Sequence, residues 1–258
     1  MPSVRDYMID KVRRVTQENL TTGMVDWTMT NIENPQIAFT GESKDKTDAD
    51  GVLLARFAGA KGVTFSGEGS VISSTLLAAQ LGAELEEASS ETTITGKLFE
   101  VIDVVTSSSS STATLTHTPK TAPGYIYLMT EDKNVGESLA VGSGEDDASI
   151  SGKIITLPDD VDAAQIGVLY EFTATSGLKL TDKSEENAVA AGYIVDILAA
   201  EICNSAAKRR MTIVFPKAQI DNNFSINLTT EGTHPFSFSA LKDYCSDSAE
   251  LCYFLFTE

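Results

Sequence analysis

The chain has 258 residues, of which 42 % are apolar and 22 % charged, enough for a sizeable core and too ordinary a balance for global disorder. With 37 acidic against 19 basic side chains, its net charge is −18 at pH 7, which argues against a surface that grips nucleic-acid phosphates or anionic lipids. Two histidines and three cysteines leave few residues for metal or nucleophilic chemistry, and at roughly 150 residues per domain the length fits one large or two small units.

Arg5, Asp6, Asp10, Lys11, Arg13 and Arg14 interrupt the N-terminal segment, so no secretory apolar run is expected there. Val4 to Val15 reads as a short helix, and the first forty residues as an arm rather than core. Met24 to Met29 and Gln36 to Thr40 are strand candidates. The polar loop Gly41 to Gly51 has a composition that forbids burial. Val52 to Ala58 and Gly62 to Ser66 are apolar strand candidates, which Gly59-Ala60-Lys61 would join as a hairpin connection. Gly67-Glu68-Gly69 breaks the strand pattern, and Ser70 is placed to cap a helix from Val71 to about Leu85. Val71, Leu76, Leu77, Leu81 and Leu85 would form its apolar face.

Thr92 to Val105 returns to β-rich composition, and the five serines Ser107 to Ser111 mark a joint. Thr112 to Thr118, Tyr125 to Met129, Lys153 to Leu157 and Gly167 to Thr173 follow as short strands between Gly, Asp and Pro turns. Strands at that spacing with almost no helical pattern suggest a compact β-sandwich module. Residues 131 to 186 hold thirteen acids and four lysines, a net −9. Tyr193 to Ile202 and Lys208 to Phe215 read as a hairpin through Asn204-Ser205. Ser225 to Thr229 and Phe236 to Leu241 are further strands, and Cys252 to Phe256 is a docked last strand. The longest apolar run, Ala188 to Ala200, is broken by Asp196 and too short to span a bilayer, so no membrane anchor is expected. Cys203, Cys245 and Cys252 are odd in number, which suits reduced thiols in a cytosol. Without a secretory route the sequons at Asn19, Asn223 and Asn227 carry no meaning.

Candidate chemistry meets a plain alternative at every position. Gly67-Glu68-Gly69-Ser70 lacks the third glycine and the βαβ context of a dinucleotide fingerprint, so it reads as a strand-to-helix turn. In Asp45 to Gly51 a calcium loop would need carboxylates where Lys46 and Phe57 stand, which leaves a solvated loop. Ser205-Ala206-Ala207-Lys208 matches Ser-x-x-Lys without its companion motifs. His117 and His234 are the available bases for a serine or cysteine nucleophile, yet no nucleophile elbow exists. Cys245 and Cys252 with His234 lack zinc spacing. Glu84, Glu86, Glu87 and Glu91 read as a solvated helix end. The expectation is therefore no catalytic, cofactor-binding or metal residues, no cofactor, and no enzyme.

Three stretches carry a resemblance: Leu54 to Glu68 with its helix, Gly152-Lys153-Ile154-Ile155-Thr156-Leu157-Pro158, and Met211 to Asp221 with Phe215-Pro216-Lys217-Ala218-Gln219-Ile220-Asp221. Their order resembles the tail tube (major tail) proteins of tailed bacteriophages, over about residues 25–106 and 190–258. The resemblance implies a mainly β protein, with a tail-tube-like β-barrel or sandwich and one flanking helix. Residues 1–106 and 187–258 would form that domain with an N-terminal arm, and 107–186 an inserted acidic β-sandwich module.

The implied function is a virion structural protein whose subunits close into hexameric rings, stacked into the tube that delivers genomic DNA. Loop 41–51 and the N-terminal arm would supply ring-to-ring contacts. Tip and terminator proteins would be partners, with a sheath as a further candidate. The protein would reside in the virion tail after assembly in the bacterial host cytoplasm. DNA would pass without specific binding, since an acidic subunit repels a duplex carrying about one charge per 1.7 Å. Six copies at −18 each carry −108, so assembly should need salt screening. A head decoration or other virion surface protein, and a non-enzymatic ligand-binding β-sandwich, are the alternatives. Trp27 is the sole tryptophan and aromatics total 7 %, which disfavours a carbohydrate site.

Overall fold

The computed structural model describes residues 6–107, 110–201, 204–244 and 249–257. The chain is mainly β and forms two compact units, Met1–Leu85 with Leu180–Glu258, and Glu86–Lys179. In chain order the first unit supplies β1 (Tyr7–Glu18), β2 (Val25–Met29), β3 (Ile32–Thr47), β4 (Leu53–Gly69) and the helix α1 (Ser74–Leu81). Next come β5 (Leu85–Ala88), β6 (Ile94–Asp103), β7 (Val105–Ser107), β8 (Ser110–Thr114), β9 (Tyr125–Met129) and β10 (Val135–Ala140). They are followed by β11 (Ser149–Ser151), β12 (Ile154–Leu157), β13 (Gln165–Ala174) and β14 (Gly177–Leu180). The chain then returns to the first unit with β15 (Ala191–Glu201), β16 (Asn204–Ile220), β17 (His234–Ala240) and β18 (Tyr253–Thr257).

The first unit is one antiparallel sheet in the order β2-β1-β15-β16-β17-β4-β3, with β18 also paired to β16. The path ends at β2 and β3, so among the described residues the sheet does not close into a barrel. β15 is buried on both faces along nearly its whole length, which explains why Tyr193 to Ala200 is apolar except at Asp196, which Arg210 pairs at 2.9 Å. Its hairpin with β16 is the one expected, and β17 and β18 occupy the expected last-strand positions. At the core, Phe238 stacks on Tyr193 at 4.1 Å and meets Phe65 at 5.3 Å. The Phe215 ring approaches it edge-on at 5.1 Å.

Several expectations are corrected here. The segment expected as an N-terminal helix is strand β1 from Tyr7 onward, paired along its length with β15. Two register shifts, at Ile9/Lys11 and Val12/Arg14, interrupt its alternation, which is why the two-residue period was hidden. Nor is this region an arm, because Val15, Trp27 and Met29 belong to the core. Gly59-Ala60-Lys61 is not a hairpin connection: β4 runs through it unbroken, and the pairing with β3 shifts register between Gly41 and Ser43. A β-carbon at Gly59 would lie 2.9 Å from Glu42 Cβ, so the shift brings the two backbones too close for a side chain there. The loop expected at 41–51 is strand up to Thr47, exposed throughout. Residues 225–229 form no strand: Asn223 N–H donates to the Asp221 carboxylate, and the segment offers no second apolar face to bury.

α1 is shorter than expected. Ser73 rather than Ser70 caps it, its hydroxyl accepting from Leu76 N–H at 3.3 Å, and Val71 and Ile72 remain exposed outside it. Only Leu76 and Gln80, four residues apart, are buried, instead of the five-residue apolar face. Gly82 ends the helix at φ +66°, and a β-carbon there would come within 2.3 Å of the Asn187 carbonyl. Both the left-handed backbone and the close approach require glycine. Gly82→Ala is therefore expected to lower unfolding free energy by about 1–3 kcal/mol in urea titration; an unchanged midpoint would contradict this packing.

The second unit contains the sheets β10-β9-β13-β6 and β11-β12-β8-β7. Ile126, Ile166, Val168 and Tyr170 of one sheet share a core with Ala113, Ile155 and Leu157 of the other, as in a small sandwich. β5 and β14 pair where the chain enters and leaves. The unit begins near residue 86 rather than 107 because β6 pairs with β13 from Ile94 to Asp103, so its β-rich composition serves this sheet. The serine run is not an open joint: Ser107 pairs with Ser110 across a hairpin, and Ser108 and Ser109 lie outside the described residues. The unit carries fifteen acids and five bases, a net −10, leaving −8 for the larger unit.

Candidate functional site

The most unusual surface of the first unit is the ribbon formed by β3 and β4. The two strands are 16 and 17 residues long, yet only the end of β4 nearest α1 has a buried face, at Val63, Phe65, Gly67 and Gly69. Beyond it the ribbon has solvent on both sides. Pairing places Leu53, Ala55 and Phe57 on one face beside Lys44 and Lys46, and Leu54, Arg56 and Ala58 on the other beside Ser43 and Asp45. Leu53, Leu54 and Phe57 are 50 to 60 % exposed. A two-stranded ribbon is marginal in water, and apolar side chains on both its faces mark an interaction surface.

Local chemistry nonetheless gives this ribbon a defined shape. The Arg56 guanidinium grips Asp45 through two hydrogen bonds of 2.7 and 2.9 Å and holds its carboxyl below the ordinary value. At the turn the Asp48 carboxylate accepts from Asp50 N–H at 3.0 Å and Val52 N–H at 2.8 Å, while Gly51 takes φ +82°.

A second apolar surface is β18. Among the described residues it pairs with β16 alone, and Tyr253, Phe254, Leu255 and Phe256 alternate across both faces with substantial exposure. Tyr7 stacks on Phe256 at 5.1 Å. An apolar strand paired on one side is a template for another chain. The neighbouring basic residues are not a free polyanion site: Lys208, Arg209 and Arg210 pair with Asp10, Glu201 and Asp196 at 2.8, 3.1 and 2.9 Å.

The residues weighed for catalysis are scattered. Gly67, Glu68 and Gly69 lie within β4, and Glu68 accepts a hydrogen bond from the Thr233 hydroxyl at 2.9 Å. Asp45 and Asp48 perform the structural tasks above. Ser205 to Lys208 runs along β16, not at a helix start. Glu84, Glu86, Glu87 and Glu91 are exposed beyond α1. Cys252 packs against the core and burial pushes its thiol up, while Cys203 and Cys245 lie outside the described residues. Among the described residues no group of three or more His, Cys, Asp or Glu could hold a metal ion, and no helix is long and apolar enough to cross a membrane.

Both histidines have packing partners. His117 stacks on Phe172 at 4.1 Å, and its backbone N–H donates to Tyr170 Oη at 3.3 Å. Tyr170 in turn donates to Glu100 at 2.6 Å, and Glu100 also accepts from the Thr116 N–H and hydroxyl. Burial, then the Glu100 hydrogen bond, push the Tyr170 phenol up to about 12. Tyr170→Phe should destabilise the second unit by about 1–2 kcal/mol by leaving Glu100 under-satisfied, measurable as a lower thermal midpoint. His234 is fully buried: its Nδ1 accepts from Ser73 N–H at 3.2 Å, so Nε2–H donates to Gln80 Oε1 at 2.7 Å. Gln80 Nε2 donates to Pro235 O at 3.0 Å. The cluster fastens α1 to β17.

Sequence reasoning missed the ribbon as one continuous projecting element. The available signal was Val52-Leu53-Leu54 set directly against a polar segment. No curated protein matches the chain. A family model described as the YomU/Tube protein family matches residues 7–253.

Proposed function

The chain belongs to the YomU/Tube protein family and is a tail tube structural protein of the phage kind; from that premise we propose that it polymerises without catalysis into stacked hexameric rings enclosing the channel for genomic DNA. The observation that carries self-association is the β3–β4 ribbon, which presents Leu53, Leu54 and Phe57 to solvent on an ordered support. Within a ring, β18 offers the edge along which sheets of adjacent subunits would continue. Between rings, the ribbon takes the role expected of loop 41–51. Tip and terminator proteins would end the stack, and assembly would occur in the host cytoplasm. The two histidines weighed above serve packing, which favours a non-catalytic role.

Charge sets the conditions. Both units are acidic, so subunits repel until salt shortens the Debye length from about 30 Å at 0.01 M to about 8 Å at 0.15 M. Purified protein viewed by negative-stain electron microscopy should show uniform tubes with a stain-filled channel, with growth requiring less protein at the higher salt. Particles that remain monomeric across salt and concentration, and do not extend from added tail tips, would favour a decoration protein instead.

A further inference from the structure

At the end of the first unit remote from the ribbon turn, a groove of about 470 Å³ lies between α1 and the start of β2. Ala78, Ala79 and Gly82 form its helix side, Gln17 and Trp27 its sheet side, and Val189 adjoins them. Gln17 and Trp27 are register partners across β1 and β2. They are 7 and 5 % exposed, yet among the described residues Gln17 Oε1 and Trp27 Nε1–H have no hydrogen-bond partner. An acceptor and a donor left unsatisfied side by side cost free energy unless something fills the groove.

We propose that this groove receives the ribbon turn of a second copy of the chain, residues 48–54, so that each subunit docks head to tail on the next. The inference rests on the tube reading and names the receiving surface for it. Strand direction supplies the polarity. β4 runs from Leu53 at the turn to Gly69 at the base, a span of about 55 Å at roughly 3.3 Å per residue, and α1 follows that base. A contact between opposite ends of one molecule is heterologous, and repeated along the strand direction it propagates as an open stack rather than pairing two copies face to face. Chemistry agrees with that polarity. The turn brings Val52, Leu53 and Leu54 to the alanine-lined wall and the exposed Asp50 carboxylate as an acceptor for Trp27 Nε1–H. Lys44 and Lys46, in no ion pair among the described residues, would face Asp26 at the groove rim.

A benzophenone amino acid at Leu54 in the full chain tests the proposal during assembly. Photo-cross-links mapped by mass spectrometry should join position 54 to residues 73–87 or 15–29. At the strand span above, such a link cannot form within one chain. Trp27, the sole tryptophan, gives an independent readout without mutation: its emission maximum should shift when wild-type subunits assemble. Tubes whose cross-links fall elsewhere, or that form with Trp27 emission unchanged, overturn the groove while leaving the tube reading intact. Wild-type protein that forms no tubes under any condition, seeded or not, removes both.

Discussion

Replacing Leu53 and Leu54 together by aspartate should abolish tube growth while leaving the subunit as stable as before. In the isolated chain both side chains are at least half exposed on the ribbon, so their removal forfeits little native packing. Surface substitutions of this kind stay within about 0.5 kcal/mol. In an assembled contact each leucine would bury an apolar side chain worth about 1.5–3 kcal/mol. Loss of both gives about 3–6 kcal/mol, or roughly a 10²–10⁴-fold weaker association at 1.4 kcal/mol per decade. The critical concentration for growth should rise by that factor, read by sedimentation of assembled from free protein. An unchanged critical concentration, with the urea midpoint also unchanged, would show that the ribbon turn is not a contact.

Much of the fold was legible where one face of a strand is buried or where a strand is buried on both. β9 was read at its observed bounds, and the β15–β16 hairpin was read from an apolar run followed by a turn. Legibility failed where the backbone departs from a regular period. Two shifts in β1 break its two-residue alternation, and the shift near Gly59 imitates a turn. α1 was misread for a different reason: its inward contact is made by Gln80, a polar residue held by His234 and Pro235 from elsewhere in the chain. No local pattern encodes a partner more than 150 positions away.

The candidate surfaces divide the same way. The polar turn at residues 48–51 was legible as exposed, because four of its neighbours are charged and glycine ends it. The continuation of β4 behind it was not, since an apolar run beside a polar loop ordinarily signals a buried strand. The unsatisfied Gln17 and Trp27 atoms were wholly invisible: their lack of partners is a property of two strands and a helix meeting, not of any residue's own type.

Acidification should loosen the helix that walls the groove, through His234. Burial holds its imidazole pKa below the ordinary 6.5. A histidine whose folded value lies below its unfolded value binds more protons unfolded. Its contribution is thus complete above about pH 6.5 and declines as pH falls from there toward the folded value. The geometry gives the cause: protonated Nδ1 would point a hydrogen at Ser73 N–H, which now donates to it, while Gln80 Oε1 and the Phe224 ring offer no compensating charge. His234→Ala should cost about 3–5 kcal/mol at pH 7.5, combining a cavity with stranded polar groups on Ser73 and Gln80. It should also flatten the stability slope between pH 6.5 and the folded pKa, since the proton-linked group is gone. Urea titrations of both proteins across that range separate the two effects. A variant equally destabilised but with the wild-type slope would assign the acid sensitivity to the carboxylates instead. If the slope does flatten, tube growth by wild-type protein should weaken over the same pH interval, because α1 must stay docked for the groove to keep its shape.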